Sequence, residues 1–204
     1  MAPFSDSSSA MHAIHSTPGF IIDSRAYGEA GKLLSIFTRD FGLITAAAQG
    51  IRLEKSKLRY STQDYSFGTF SLVRGKELWR LTSASDVSAM SLRGRDAELI
   101  ARIALLLRRL LQGEEAHSEL FSRVESFRSF LRDNPELDQE KANTIESISA
   151  LQILHALGYI GGGDDLAEFL EPACLEDSTT LERAETKRAS INRHINKALK
   201  ESHL

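Results

Sequence analysis

From Gly19 to Thr82 the chain runs in short apolar segments separated by turn residues. Gly19-Phe20-Ile21-Ile22 opens a first predicted strand. Lys32 to Arg39, rich in branched and aromatic residues, is a second. Asp40-Phe41-Gly42 is a turn, and Leu43 to Gln49 returns as a third strand closed by Gly50. After a polar stretch, Ile51 to Gln63, Phe67–Val73 and Leu78–Thr82 pair around Arg74-Gly75-Lys76-Glu77. Tight polar or glycine turns between such runs signal hairpins. Short antiparallel strands of this number close naturally into a small five-stranded barrel such as the OB-fold.

From Asp96 the period changes. Leu99, Ile100, Ile103, Leu106, Leu107, Leu110 and Leu111 share one helical stripe, ended by Gly113. Leu120, Phe121, Val124, Phe127 and Leu131 form a second, stopped by Asn134-Pro135. Ile145, Ile148, Leu151, Leu154 and Leu157 form a third, with Gly158 as its C-cap. Gly161-Gly162-Gly163 makes a connector. Thr179 and Glu182 have capping-box spacing and begin a last helix, faced by Leu181, Ala184, Ile191, Ile195 and Leu199. Amphipathic helices bury their stripes against one another. The fold class is therefore α+β: a flexible tail at 1–17, an OB-fold barrel at 18–90, and an α-helical domain at 91–204.

Charge sharpens this division. The whole chain carries −3, which argues against a nucleic-acid binder. Residues 19–84, however, hold ten Lys/Arg against six Asp/Glu, or +4, which leaves −7 for the remainder. The cations are Arg25, Lys32, Arg39, Arg52, Lys55, Lys57, Arg59, Arg74, Lys76 and Arg80. A basic barrel face can track a phosphate backbone. The loop from Arg52 to Arg59 places four of these cations together, so binding should weaken steeply with salt.

Other features have blander readings. Trp79 and Phe70 stand at strand positions where aromatics are more often core than stacking platforms. Tyr27 and Gly28 read as a structural turn, with Gly28 at positive φ. Gly161 to Asp165 lacks the Lys-Ser/Thr of a phosphate loop, and Asp164 and Asp165 read as surface charges rather than an acid/base pair. His12 and His15 have no second ligand pair. The single cysteine, Cys174, permits neither a disulfide framework nor a zinc ribbon and has no basic neighbour to activate it. Arg102 and Arg109 read as a solvated helix face. No apolar run approaches membrane-span length, and the Ser-rich start is not a secretory signal. No catalytic constellation or metal cluster is visible, so no enzyme activity is expected.

At this point the motifs acquire a likeness. Ser24-Arg25-Ala26-Tyr27-Gly28-Glu29-Ala30-Gly31-Lys32-Leu33-Leu34 and Phe37-Thr38-Arg39-Asp40-Phe41-Gly42-Leu43 resemble the opening of the bacterial DNA repair protein RecO family. Gln49-Gly50-Ile51-Arg52 through Lys55-Ser56-Lys57-Leu58 is similar to that family's basic loop, and Gln63 to Phe67 with Leu72 to Thr82 continue in register. The resemblance covers about residues 18–85. Beyond it, Leu154-His155-Ala156-Leu157-Gly158-Tyr159 resembles the helix that precedes the family's zinc-binding region.

The resemblance implies an N-terminal OB-fold and a helical C-terminal domain. It implies binding of single- and double-stranded DNA and annealing of complementary strands. It also implies partnership with RecR, sometimes RecF, and the single-stranded-DNA-binding protein, so that recombinase is loaded on DNA in the cytoplasm, at the nucleoid. In the family a groove between helices takes that protein's acidic, apolar-ended tail. Two departures stand out. The stretch Ile160 to Glu171, with Cys174 beyond it, lacks the zinc ligands of many members, so no cofactor is expected. Gln49 replaces the usual Lys before the loop glycine. The chain is also short for the family, which suggests a trimmed helical domain. The competing reading is a protein-interaction adaptor whose barrel has lost DNA binding.

Overall fold

The computed structural model describes residues 13–51, 58–89, 95–163 and 165–202. Five strands, β1 (Ile14–Tyr27), β2 (Gly31–Thr38), β3 (Gly42–Ala48), β4 (Ser66–Arg74) and β5 (Trp79–Ala89), close into a barrel in the order β1-β2-β3-β5-β4. All neighbours are antiparallel except β3 and β5, which run parallel and pair only through Ala46–Trp79 and Ala47–Arg80 among the described residues. Inward positions such as Ile21, Leu34, Ile36, Ile44, Ala46, Phe70, Leu72 and Trp79 fill the barrel.

Two expectations are corrected here. Ile14 to Thr17, expected as part of the tail, are the start of β1 and pair with Val73 to Phe70 of β4. This segment lacks an apolar alternation. It is held by backbone pairing and by His15, whose ring packs edge-on against Phe41 and Trp79 at 5.3 and 5.6 Å. β5 also runs seven residues past Thr82, the end read from the sequence. Its second half is Ser-rich and is carried by the β4 ladder, with the extra residue of each register shift on β5 and Asp86 at positive φ.

The helical part comprises α1 (Arg95–Leu110), α2 (Ser118–Asp133), α3 (Gln139–Ala156), the single turn α4 (Ala167–Leu170), a 3-10 turn at Pro172–Leu175, and α5 (Ser178–Glu201). α3 is central and is buried nearly all round, with α1, α2, α4 and α5 packed against it. Gly158 follows it with φ of +78°, the C-cap glycine read from the sequence. α5 is capped by Asp177, which accepts from the Thr179 and Thr180 N–H groups at 3.1 and 3.2 Å. Asp177 therefore takes the place expected of Thr179: its carboxylate reaches two orphan amides of the first turn.

Barrel and helices share one core. Phe20, Ile22, Phe37 and Phe67 point out of the barrel into the same apolar cluster as the helix stripes. The turn before β3 passes so close to the helical part that a Cβ on Gly42, at φ +67°, would lie 2.0 Å from the Glu115 carbonyl oxygen. The Leu43 N–H donates to the Gly113 carbonyl at 3.2 Å.

Candidate nucleic-acid interface

The Phe20, Phe37 and Phe67 side is covered by helices, and another part of the barrel's outer wall carries exposed cations. There Arg25 of β1 pairs with Leu33 of β2, Leu33 with Ala47 of β3, and Ala47 with Arg80 of β5. Directly paired residues point to the same side of a sheet, so these four form one transverse row. It spans three interstrand spacings, roughly 14 Å. Leu33 and Ala47 are nearly buried, whereas Arg25 and Arg80 are exposed. The row is a low apolar saddle with a cation at each end. Ser35 and Thr45, paired one step along, continue it as a small polar surface.

Around the end of the barrel, Lys32, Ile51, Arg59, Tyr60 and Gln63 line an open cavity of about 510 Å³. Lys32 sits across from Ala26 and Ala48, and its Nζ donates to Ser24 Oγ at 3.4 Å. Arg59 is exposed, and Tyr60 beside it is 72% exposed. Tyr27 is half-exposed at the β1–β2 hairpin, which Gly28 turns at φ +60°. A ring at this mouth can stack on a base while Lys32 and Arg59 meet phosphate.

The ten cations read from the sequence do not all belong here. Arg39 reaches the helical part, where it pairs with Glu125 at 3.0 Å and lies over the Phe121 ring. Arg74 pairs with Glu114 at 3.0 Å and lies over Trp79. Both carry their charge to a carboxylate of the other half. Arg25, Lys32, Arg59, Lys76 and Arg80 make no ion pair among the described residues. Lys76 stands on the β4–β5 turn, exposed. Arg52, Lys55 and Lys57 lie outside the described residues, as do His12 and Asp164.

Trp79 and Phe70 are barrel core; the Trp79 indole N–H donates to Glu114 Oε1 at 3.0 Å. Among the described residues of the barrel part, the tyrosines that face solvent are Tyr60 and Tyr27, and sequence reasoning missed Tyr60. Its signal was an aromatic set between Arg59 and Ser61 within the polar stretch Ile51 to Gln63. Arg102 is tied to Glu98 and Glu146 at 3.8 and 2.6 Å, an ion-paired helix face. Cys174 is buried and accepts from Gln152 Nε2 at 3.2 Å, and burial pushes its thiol up to about 12. A thiol so far from ionisation is a packing group. No helix among the described residues is long and apolar enough to cross a membrane.

Comparison with known proteins bears on this surface. Residues 11–90 match the family described as recombination protein O N terminal. The chain is 31% identical over 152 residues to a protein of Clostridium novyi named DNA repair protein RecO, covering 72% of this chain and 57% of that one. It is 32% identical over 155 residues to a protein of the same name from Synechocystis, covering 74% and 55%. A third, from Rubrobacter xylanophilus, is 37% identical over 82 residues. The chain thus spans little more than half the length of the first two.

Proposed function

The chain belongs to the recombination protein O family through its N-terminal domain, residues 11–90, and from that premise we propose that it acts in recombinational DNA repair as a non-catalytic DNA-binding mediator. The observation that carries this reading is the Arg25–Leu33–Ala47–Arg80 row, a strip across a small barrel with an exposed, unpaired cation at each end among the described residues. A single strand laid across it places phosphates against the two guanidinium groups. Its bases then reach Tyr60 and Tyr27 at the barrel mouth. Such contacts are to backbone and ring faces, so binding is indifferent to sequence. Two complementary strands held on cationic surface repel each other less, which favours annealing.

The partners proposed with this role are single- and double-stranded DNA, RecR, sometimes RecF, and the single-stranded-DNA-binding protein, at the nucleoid of the cytoplasm. The outcome is loading of recombinase. No cofactor and no covalent step is proposed. The test is a titration of labelled single-stranded DNA at low salt, together with a strand-annealing assay on complementary oligonucleotides. Binding with accelerated annealing is expected. Absence of binding at low salt would leave the adaptor reading, in which the barrel serves a protein partner.

A further inference from the structure

The helical half holds a groove of about 970 Å³ between the end of α2, the α2–α3 turn, the start of α3 and the first turns of α5. Its floor is apolar: Ile145 and Leu175 are buried, and Phe130, Leu137 and Leu181 are half-buried and open on the groove. Its rim is acidic. Glu125, Asp133 and Asp138 already pair with Arg39, Arg132 and Lys141. Glu136, Glu176, Glu182 and Glu185 have no cation within 4.0 Å among the described residues, and all four are exposed. Lys141 is the one cation on the described lining, and Asp138 holds it. Two helix N-termini open nearby and would favour anions. Each is offset by its own capping carboxylate, Asp138 on α3 and Asp177 on α5.

We propose that this groove is a docking site for a basic peptide segment of a partner protein, with two or three apolar side chains on the Phe130–Leu137–Leu181 floor and Lys/Arg on the acidic rim. Charge complementarity selects the occupant. Four unpaired carboxylates around an apolar floor attract a cationic amphipathic segment and reject DNA and acidic peptides alike. The acidic tail implied by the family resemblance meets like charge here, so this groove is not its place. A groove of this size with an apolar floor and a charged rim suits an amphipathic segment of a few turns.

The test uses the full chain and a fluorescein-labelled synthetic peptide of about twelve residues, with Leu at helical i, i+3, i+4 and i+7 spacing and Lys elsewhere. A twin carries Glu in place of Lys. Anisotropy is expected to show saturable binding of the Lys peptide and none of its twin. The variant Glu136→Gln/Glu176→Gln/Glu182→Gln/Glu185→Gln should bind about tenfold more weakly, since each exposed pair contributes a few-fold at most. The charge-matched control Glu29→Gln/Glu77→Gln/Glu98→Gln/Glu201→Gln should bind as the unaltered chain does. Leu181→Ser should weaken binding with the rim intact. Circular dichroism and thermal melts confirm that each variant is folded. Equal binding of the twin, an unaffected groove variant, or an equal loss in the control would each overturn the proposal.

Discussion

Replacing Arg25 and Arg80 together by Ala removes both cationic ends of the row and leaves the barrel core untouched, because both side chains are exposed and outside any ion pair among the described residues. For a single strand, each neutralised phosphate contributes about 0.7 to the slope of log K against log salt. Losing two contacts should flatten that slope by about 1.4. Between 50 and 200 mM salt, a flattening of 1.4 shrinks the fall in affinity about sevenfold. Because only this difference is read, contacts from cations elsewhere cancel. The control is Arg39→Ala/Arg74→Ala, which deletes the same formal charge. Arg39 and Arg74 are held by Glu125 and Glu114, so that variant should leave the slope nearly unchanged. Fluorescence anisotropy with a labelled oligonucleotide over a salt series supplies both slopes. An unchanged slope in the Arg25/Arg80 variant, or an equal change in the control, would refute the assignment of the row as the phosphate track.

Gly42→Ala should cost about 3 kcal/mol, combining the left-handed backbone with overpacking against the Glu115 carbonyl; a melt within a degree of the parent would contradict the close approach. Gln152 is buried and donates to the Phe169 and Glu171 carbonyls as well as to Cys174. Gln152→Leu removes a donor from each carbonyl, leaving Glu171 the Cys174 backbone N–H and Phe169 only the weak Cys174 thiol, for a loss of about 2 kcal/mol and a melting temperature lower by roughly 4–8 °C. The raised Cys174 pKa means that, above about pH 9, the unfolded chain gives up a proton that the folded chain keeps. Stability should therefore fall between pH 9 and about 12, by at most about 1.4 kcal/mol per pH unit. Cys174→Ala should lose that component of the pH profile in denaturant melts, and a thiol reagent should label Cys174 only after unfolding.

Much of the architecture was legible because its signals are local. The β2–β3 hairpin shows in Asp40-Phe41-Gly42, and α1 to α3 show in their stripes and stops. What escaped is held by long-range partners. Ile14 to Thr17 become a strand only because Val73 to Phe70 of β4 offer a ladder. Leu166, Phe169 and Leu170 are core, yet α4 is a single turn and too short to display a period. The site was legible as a list of cations but not as a surface. Arg39 and Arg74 look like Arg25 and Arg80 in sequence. What separates them is a carboxylate 86 positions from Arg39 and about forty from Arg74. Tyr60 was missed for the converse reason: its exposure is set by what does not pack on it.

Among the described residues, the barrel is a ring closed at one point by two residue pairs, Ala46–Trp79 and Ala47–Arg80. Every other junction is a longer ladder. Local opening favours the junction with the fewest contacts, so the β3–β5 junction is the expected point of first opening. The Arg25–Arg80 row crosses that junction at right angles to the strands. Under the proposed function, a strand of DNA lying along the row would act as a clasp: it would tie β5 to β1 over the gap and grip best when the ring is shut. Binding and closure are then one equilibrium seen from two sides. Backbone amides at 46–48 and 79–81 should exchange more slowly with solvent once the clasp is on, and a ring that breathes too freely should hold DNA less tightly even with every cation in place.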